Sequence, residues 1–141
     1  MTQVASVYDD IRAALEYHLS TMADVPEISY ENVSYDPPQG ADWLKCQLIP
    51  TSRKPAVRGL NPQMRYQGLF TIFCYTPEGI GPSRADDLAD KVVDHFEATT
   101  DVTHPSIPAI IISVDYAERE QGQNKQPYYY TVVNIGWYFY K

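Results

Sequence analysis

Imidazoles, thiols and clustered carboxylates are the side chains in this sequence with the types and spacings to do chemistry. The histidines are His18, His95 and His104. His18 and His95 each fall on a helical pattern with no second ligand four residues away, so the paired-histidine metal site that such spacing builds is not predicted. Cys46 and Cys74 have no local spacing pattern. They read as two buried thiols acting as small hydrophobes on neighbouring strands, not as a disulfide framework, and they suggest a reducing compartment. Asp86, Asp90 and Asp94 recur at steps of four opposite an apolar stripe, which is the pattern of a solvated acidic helix face.

Glu78-Gly79-Ile80-Gly81-Pro82-Ser83 has the look of a phosphate-binding turn between a strand and a helix. A phosphate loop needs a further glycine followed by Lys and Ser/Thr, and none is present. Pro82 removes an amide donor, and Asp86 and Asp87 would repel an anion at that helix start. The segment is therefore predicted to be a tight turn that feeds the helix. No catalytic residue, cofactor or metal is expected.

Charge sets the next limits. Eleven Lys and Arg against 18 Asp and Glu give a formal charge of −7, which argues against holding nucleic acid by neutralising phosphates. An acidic surface suits DNA that must slide past, and many copies of the 86/90/94 face lining a channel would prevent sticking. The most basic part of the chain is the segment 50–63, with Arg53, Lys54 and Arg58, followed by Arg65. These cations either solubilise a loop or form a docking arm for an acidic patch on a partner or a neighbouring copy. No apolar run approaches the ~20 residues that span a bilayer, and Met1, Thr2, Gln3 and Val4 carry no signal region.

The elements that position these groups follow from periodicity. Residues 4–22 carry Val4, Val7, Tyr8, Ile11, Leu15, Leu19 and Met22 at steps of three and four, one stripe of a helix. Residues 28–35 read as a strand, and 36–40 as a turn. Residues 43–49 alternate, with Leu44, Cys46 and Leu48 on one face and Trp43, Lys45 and Gln47 on the other. Three prolines (Pro50, Pro55, Pro62) and Gly59 make 50–63 a long loop. Residues 64–75 form a central strand, with Tyr66, Gly68, Phe70, Ile72 and Cys74 on one face and Leu69, Thr71, Phe73 and Tyr75 on the other. A helix over 83–98 is capped by Ser83 and buries Leu88, Ala89, Val92, Val93 and Phe96. A loop over 99–108 leads to a strand at 109–116, apolar on both faces through Ile110, Ile111 and Ile112. A polar hairpin loop at 118–125 precedes the last strand, 128–140, paired antiparallel with the one before it.

That last strand is unusually aromatic. Five of the 12 tyrosines lie in it, among them Tyr128, Tyr130, Tyr138 and Tyr140, together with Trp137 and Phe139. Aromatics favour strands in general, and they also suit a surface that meets a partner. With 141 residues, 44% hydrophobic and 21% charged, the chain reads as a single α+β domain over 1–141. Its expected form is one antiparallel β-sheet with two helices packed on one face, in the order α-β-β-β-α-β-β.

Certain stretches resemble a known family. The run Ile28-Ser29-Tyr30-Glu31-Asn32-Val33-Ser34-Tyr35-Asp36-Pro37-Pro38 with Trp43-Leu44 is one. Arg65-Tyr66-Gln67-Gly68-Leu69-Phe70-Thr71-Ile72-Phe73-Cys74-Tyr75-Thr76-Pro77-Glu78-Gly79-Ile80-Gly81 is another, followed by Leu88-Ala89-Asp90 and Phe96. Together they are similar to the tail terminator (tail completion) proteins of long-tailed bacteriophages, over nearly the whole chain. The resemblance implies a structural role: a homohexameric ring on the end of the tail tube that stops tube polymerisation and offers the head-joining surface. It implies as partners further copies of the chain, the tail tube protein and a head-completion or connector protein, with DNA passing unbound and no membrane. It places the chain in the virion tail, assembled in the bacterial host cytoplasm. The family has no catalytic residues to carry over. A closed ring needs two different patches per subunit. The loop (Arg53, Lys54, Arg58, with Arg65) and the last strand (Tyr128, Tyr130, Trp137, Tyr138, Tyr140) are the candidates. Two other readings stand beside it: a connector or adaptor at the head-tail junction, and a small hydrolase or nucleotide-binding enzyme on the same scaffold.

Overall fold

The computed structural model describes residues 6–37, 40–60 and 62–141. The chain runs through helix α1 (Val7–Ser20), strands β1 (Glu27–Ser29), β2 (Trp43–Pro55) and β3 (Met64–Pro77), and helix α2 (Ser83–His95). It then forms β4 (Asp101–His104), β5 (Ile107–Arg119), β6 (Gln123–Lys125) and β7 (Tyr128–Tyr140). The fold is α+β. The strands form one sheet in the order β1-β2-β3-β7-β5-β4, with β6 pairing on β7.

That sheet is mixed, which corrects the expectation of a purely antiparallel one. β1 runs parallel to β2, with Glu27 opposite Trp43 and Ser29 opposite Lys45, while every other ladder is antiparallel. A parallel neighbour requires a crossover, here residues 30–42. Of the predicted 28–35 strand only Ile28 and Ser29 join the ladder, with Glu27 ahead of them. Asn32, with φ of 56°, turns the chain away.

Several predicted loops are strand. β2 continues to Pro55, with Pro50 opposite Gly68 and Ser52, Arg53, Lys54 and Pro55 opposite Gln67, Tyr66, Arg65 and Met64 of β3. The predicted 50–63 loop shrinks to 56–63, closed by Ala56 N–H donating to the Gln63 carbonyl at 2.8 Å. The prolines fit because β1 covers β2 only as far as Lys45, so the rest of β2 is an edge that wants no second set of donors. A register shift between Pro50 and Ser52 absorbs the first proline. Likewise 101–104 forms β4 and 123–125 forms β6. The element order therefore carries two strands more than α-β-β-β-α-β-β.

The helices hold their expected stripes. Ser6 caps α1 by accepting the Asp9 N–H at 3.1 Å, and Asp9 and Asp10 sit in the first turn, where the helix dipole favours them. Ile11, Ala14, Leu15, Leu19 and Met22 are buried. Val4 lies outside the described residues. α2 starts at Ser83, as predicted, but ends at His95 rather than 98, and its N-cap is Pro82, without a side-chain cap, so Ser83 is not the cap. Gly79 and Gly81 take φ of 90° and 82°, values that favour glycine, and form the turn into α2. Phe96, fully buried, ends the helix by leaving its axis for the core.

Both helices lie on the face of the sheet that presents Leu44, Cys46, Leu48, Tyr66, Phe70, Ile72, Cys74, Val133, Ile135, Trp137 and Phe139, and these form one core. β5 is apolar on one face only: Ile110 and Ile112 are buried, whereas Ile111 is 56% exposed. Among the described residues no helix covers the opposite, outer face of the sheet.

Candidate functional site

The chemistry-bearing residues are spread out rather than gathered. Among the described residues no three of His, Cys, Asp and Glu come together as a metal site. The hollow beside the glycine turn is lined by Glu78, Gly79, Gly81, Pro82, Asn124 and Tyr129, with one carboxylate and no histidine, thiol or cation among them. Burial pushes both thiols up to about 12. Cys46 lies opposite Ile72, and Cys74 opposite Leu44, on adjacent strands. At neutral pH both are inert core residues.

His18 and His95 meet, although the sequence presents them as solitary. Their rings stack at 4.3 Å between centroids. The His18 Nε2 lies 2.8 Å from the His95 carbonyl, and the His95 Nε2 lies 2.6 Å from the His18 carbonyl. The last turns of α1 and α2 are thereby clasped to one another, with Thr21 Oγ1 3.1 Å from His95 Nε2 and Phe96 edge-on to both rings. Burial lowers the pKa of His18, a hydrogen bond to the His95 backbone opposes that, and the His95 ring lowers it further. Below its ordinary pKa of about 6.5 the unfolded chain binds a proton that folded His18 resists, so stability falls as the pH drops through that value. The melting temperature is expected to decrease between about pH 7.5 and 5.5, and to decrease less in His18→Gln. Equal decreases in the two proteins would contradict this assignment.

The four predicted cations are split across the sheet. Arg53 packs over Tyr66 on the helix side, its Nε 3.1 Å from the phenol oxygen. Arg65 lies on the outer face, its guanidinium 4.9 Å from the Tyr138 ring centre and 6.0 Å from that of Tyr140, with Nη1 donating to Gln67 Oε1 at 2.7 Å. Lys54 is directly opposite Arg65 in the ladder, a like-charge pair that opposes strand pairing. Arg58 is exposed in the 56–63 loop, where Leu60 is 98% and Val57 67% exposed. Among the described residues none of these four cations forms an ion pair; the ion pairs fall on Arg12, Arg84 and Arg119.

The aromatic candidates also separate. Trp137 is 1% exposed and belongs to the core, which removes it from the surface expected of it. It shares the inward parity of Val133, Ile135 and Phe139. Tyr128 and Tyr130 sit at one end of the outer face around Tyr75, at 5.9 and 5.3 Å between ring centres, and Tyr75 stacks on Trp43 at 4.0 Å. Tyr35 extends this group and donates to Glu27 at 2.8 Å; burial and that bond push its phenol up to about 12. Tyr138 and Tyr140 stand at the other end with Arg65.

On α2 the 86/90/94 series is not uniformly solvated. Arg119 of β5 pairs with Asp86 at 2.6 Å and with Asp90 at 3.4 Å, which relieves two of the three like charges, and Asp94 remains exposed. Asp87 and Glu97 are exposed as well.

A signal that single motifs conceal is the segregation of charge. Residues 43–77 contain five cations (Lys45, Arg53, Lys54, Arg58, Arg65) and no acid. That hairpin is therefore +5 and the rest of the chain −12, within the net −7. Among the described residues the structure offers charge segregated by segment and an outer sheet face that carries no helix, and it gathers no convergent set of reactive groups.

Comparison with known proteins agrees with that character. A family model described as phage tail terminator protein matches residues 10–137. No curated protein matches the sequence. One solved structure, of a chain that carries no functional name, is similar over 97% of both chains with a TM-score of 0.70 and 17% identity, a likeness of fold alone. No helix among the described residues is long and apolar enough to cross a membrane. With the family model spanning most of its length, this chain belongs to the phage tail terminator proteins, a structural family of the phage tail.

Proposed function

We propose that this chain caps the end of the phage tail tube as a ring of six copies, stops polymerisation of the tube protein, and presents the surface to which a head-completion or connector protein joins. The observation that carries the proposal is the family match over residues 10–137. The site geometry supports it in two ways. Shape and charge, rather than convergent reactive groups, are what the surface offers. A closed ring of identical subunits needs two unlike patches on each subunit, and the basic hairpin and the acidic remainder of the chain are unlike.

The net −7 charge suits a passage through which DNA moves without being held. On this reading the protein is a virion component assembled in the host cytoplasm. The test is to polymerise tail tube protein with and without the chain. Growth is expected to stop early when the chain is present, and the chain is expected to sediment with tubes at a few copies per tube. Unchanged growth with the chain left in the supernatant would overturn the proposal.

A further inference from the structure

We infer that the exposed cations of the β2–β3 hairpin, Lys54 and Arg58, seat on two exposed carboxylates of α2, Asp87 and Asp94, of a second copy of this chain. The inference rests on the ring reading above, and names the two surfaces that would meet.

Three observations carry it. First, the hairpin charge is unsatisfied. Lys54 and Arg65 face each other across the ladder, a repulsive pair that an anion between or beside them would relieve. Among the described residues neither they nor Arg58 meets a carboxylate.

Second, the chain does not satisfy that charge with its own acids. The hairpin loop precedes Met64 at the start of β3, while α2 follows Pro77 at its end. The 14 residues of β3 separate those points by on the order of 45 Å. Even the C-terminal end of α2, where Phe96 packs on Phe70, stays about 20 Å along β3 from Met64. The hairpin cations and the α2 carboxylates are thus too far apart to pair within one copy.

Third, the acids on α2 are left over. Asp86 and Asp90 are taken by Arg119, whereas Asp87 and Asp94 are exposed on the same helix with Lys91 between them, and among the described residues none of these three forms an ion pair. With the hairpin at +5 and the remainder at −12, each copy carries what the next copy lacks. This is the complementarity that steers association and fixes register. Such a contact is head-to-tail, and head-to-tail contacts between identical chains form a ring when the rotation between copies closes. The apolar tip, Val57 and Leu60, supplies area to exclude water around the ion pairs.

Cross-linking tests the contact. Leu60→Cys and Ala98→Cys, the latter four residues beyond Asp94, are made in separate chains; both positions are exposed, and the native Cys46 and Cys74 are buried. The two variants are mixed with tail tubes present, treated with a short bis-maleimide, and the assembly mass is read alongside. A heterodimer is expected from the mixture and a ladder from the double variant. Both should be lost in about 1 M salt, where screening acts within roughly 3 Å. A chain with Lys54→Glu and Arg58→Glu should lose the cross-link. It should regain it with a partner carrying Asp87→Lys and Asp94→Lys.

Copies that assemble without this cross-link, or a cross-link from Leu60→Cys to tube protein instead, would overturn the inference and leave the ring reading intact. Copies that do not associate even on tube ends would remove the ring reading, and the inference with it.

Discussion

Trp137→Ala is expected to cost about 3–5 kcal/mol of stability, enough to leave much of the chain unfolded near 37 °C. Trp137 is 1% exposed and is among the largest fully buried side chains. It stands opposite Gly68 of β3, in the core that both helices cover. Truncation removes its apolar area and leaves a cavity that rigid neighbouring strands cannot close. Denaturant titration of the variant measures the loss. Tyr140→Ala is the control: Tyr140 is 43% exposed at the strand end, and its loss should fall within about 0.5 kcal/mol. A Trp137→Ala chain as stable as the wild type would contradict the placement of the indole in the core.

The second large effect is expected at Gly68→Ala. A β-carbon at Gly68 would collide with the Ile49 carbonyl oxygen, and would lie 2.8 Å from the Trp137 ring and 2.9 Å from the Pro50 Cα. Two of these neighbours are backbone and cannot rotate away. The glycine lets β2 approach β3 where the register shifts at Pro50. Overpacking by one methyl at such a place costs about 3 kcal/mol. Because Trp137 is one of the three obstacles, the two substitutions should couple. The double variant should lose less than the sum of the singles, while the backbone contacts keep Gly68→Ala costly even without the indole. A fully additive pair, or a neutral Gly68→Ala, would show that the close approach does not exist in solution.

These residues show what the sequence reveals and what it conceals. Alternation identified the inward faces of β2 and β3 correctly, because Leu44, Cys46, Leu48, Phe70 and Ile72 follow a period of two over long strands. The last strand was legible for the same reason, to its ends at Tyr128 and Tyr140. The parity of Val133, Ile135, Trp137 and Phe139 was equally visible, yet an aromatic-rich strand invites an interface reading, and Trp137 was drawn into it. Gly68 belongs to the stretch Gly68-Leu69-Phe70 on which the family resemblance rests; its close approach to β2 explains why glycine suits it.

The rest depended on neighbours that no local pattern reports. Pro50 and Pro55 signal a loop until it is known that β2 is an edge strand beyond Lys45. β4 and β6 span only 101–104 and 123–125, too short for periodicity to register. Ile111 looks as buried as Ile110 and Ile112 until the helices prove to lie on one side only. His18 meets His95, and Arg119 meets Asp86, across separations of 77 and 33 residues, and such pairings are set by the fold. The opposite charges of segment 43–77 and the remainder were in the sequence throughout, visible only when charge is summed by segment rather than by motif.

Imaging the ends of tail tubes grown with this chain tests the central claim most directly. A cap of added density at one end of each tube, with tubes of uniform length and labelled chain confined to that cap, is the result expected of a terminator. Bare tube ends of unlimited length with label spread along the walls or free in solution would contradict it.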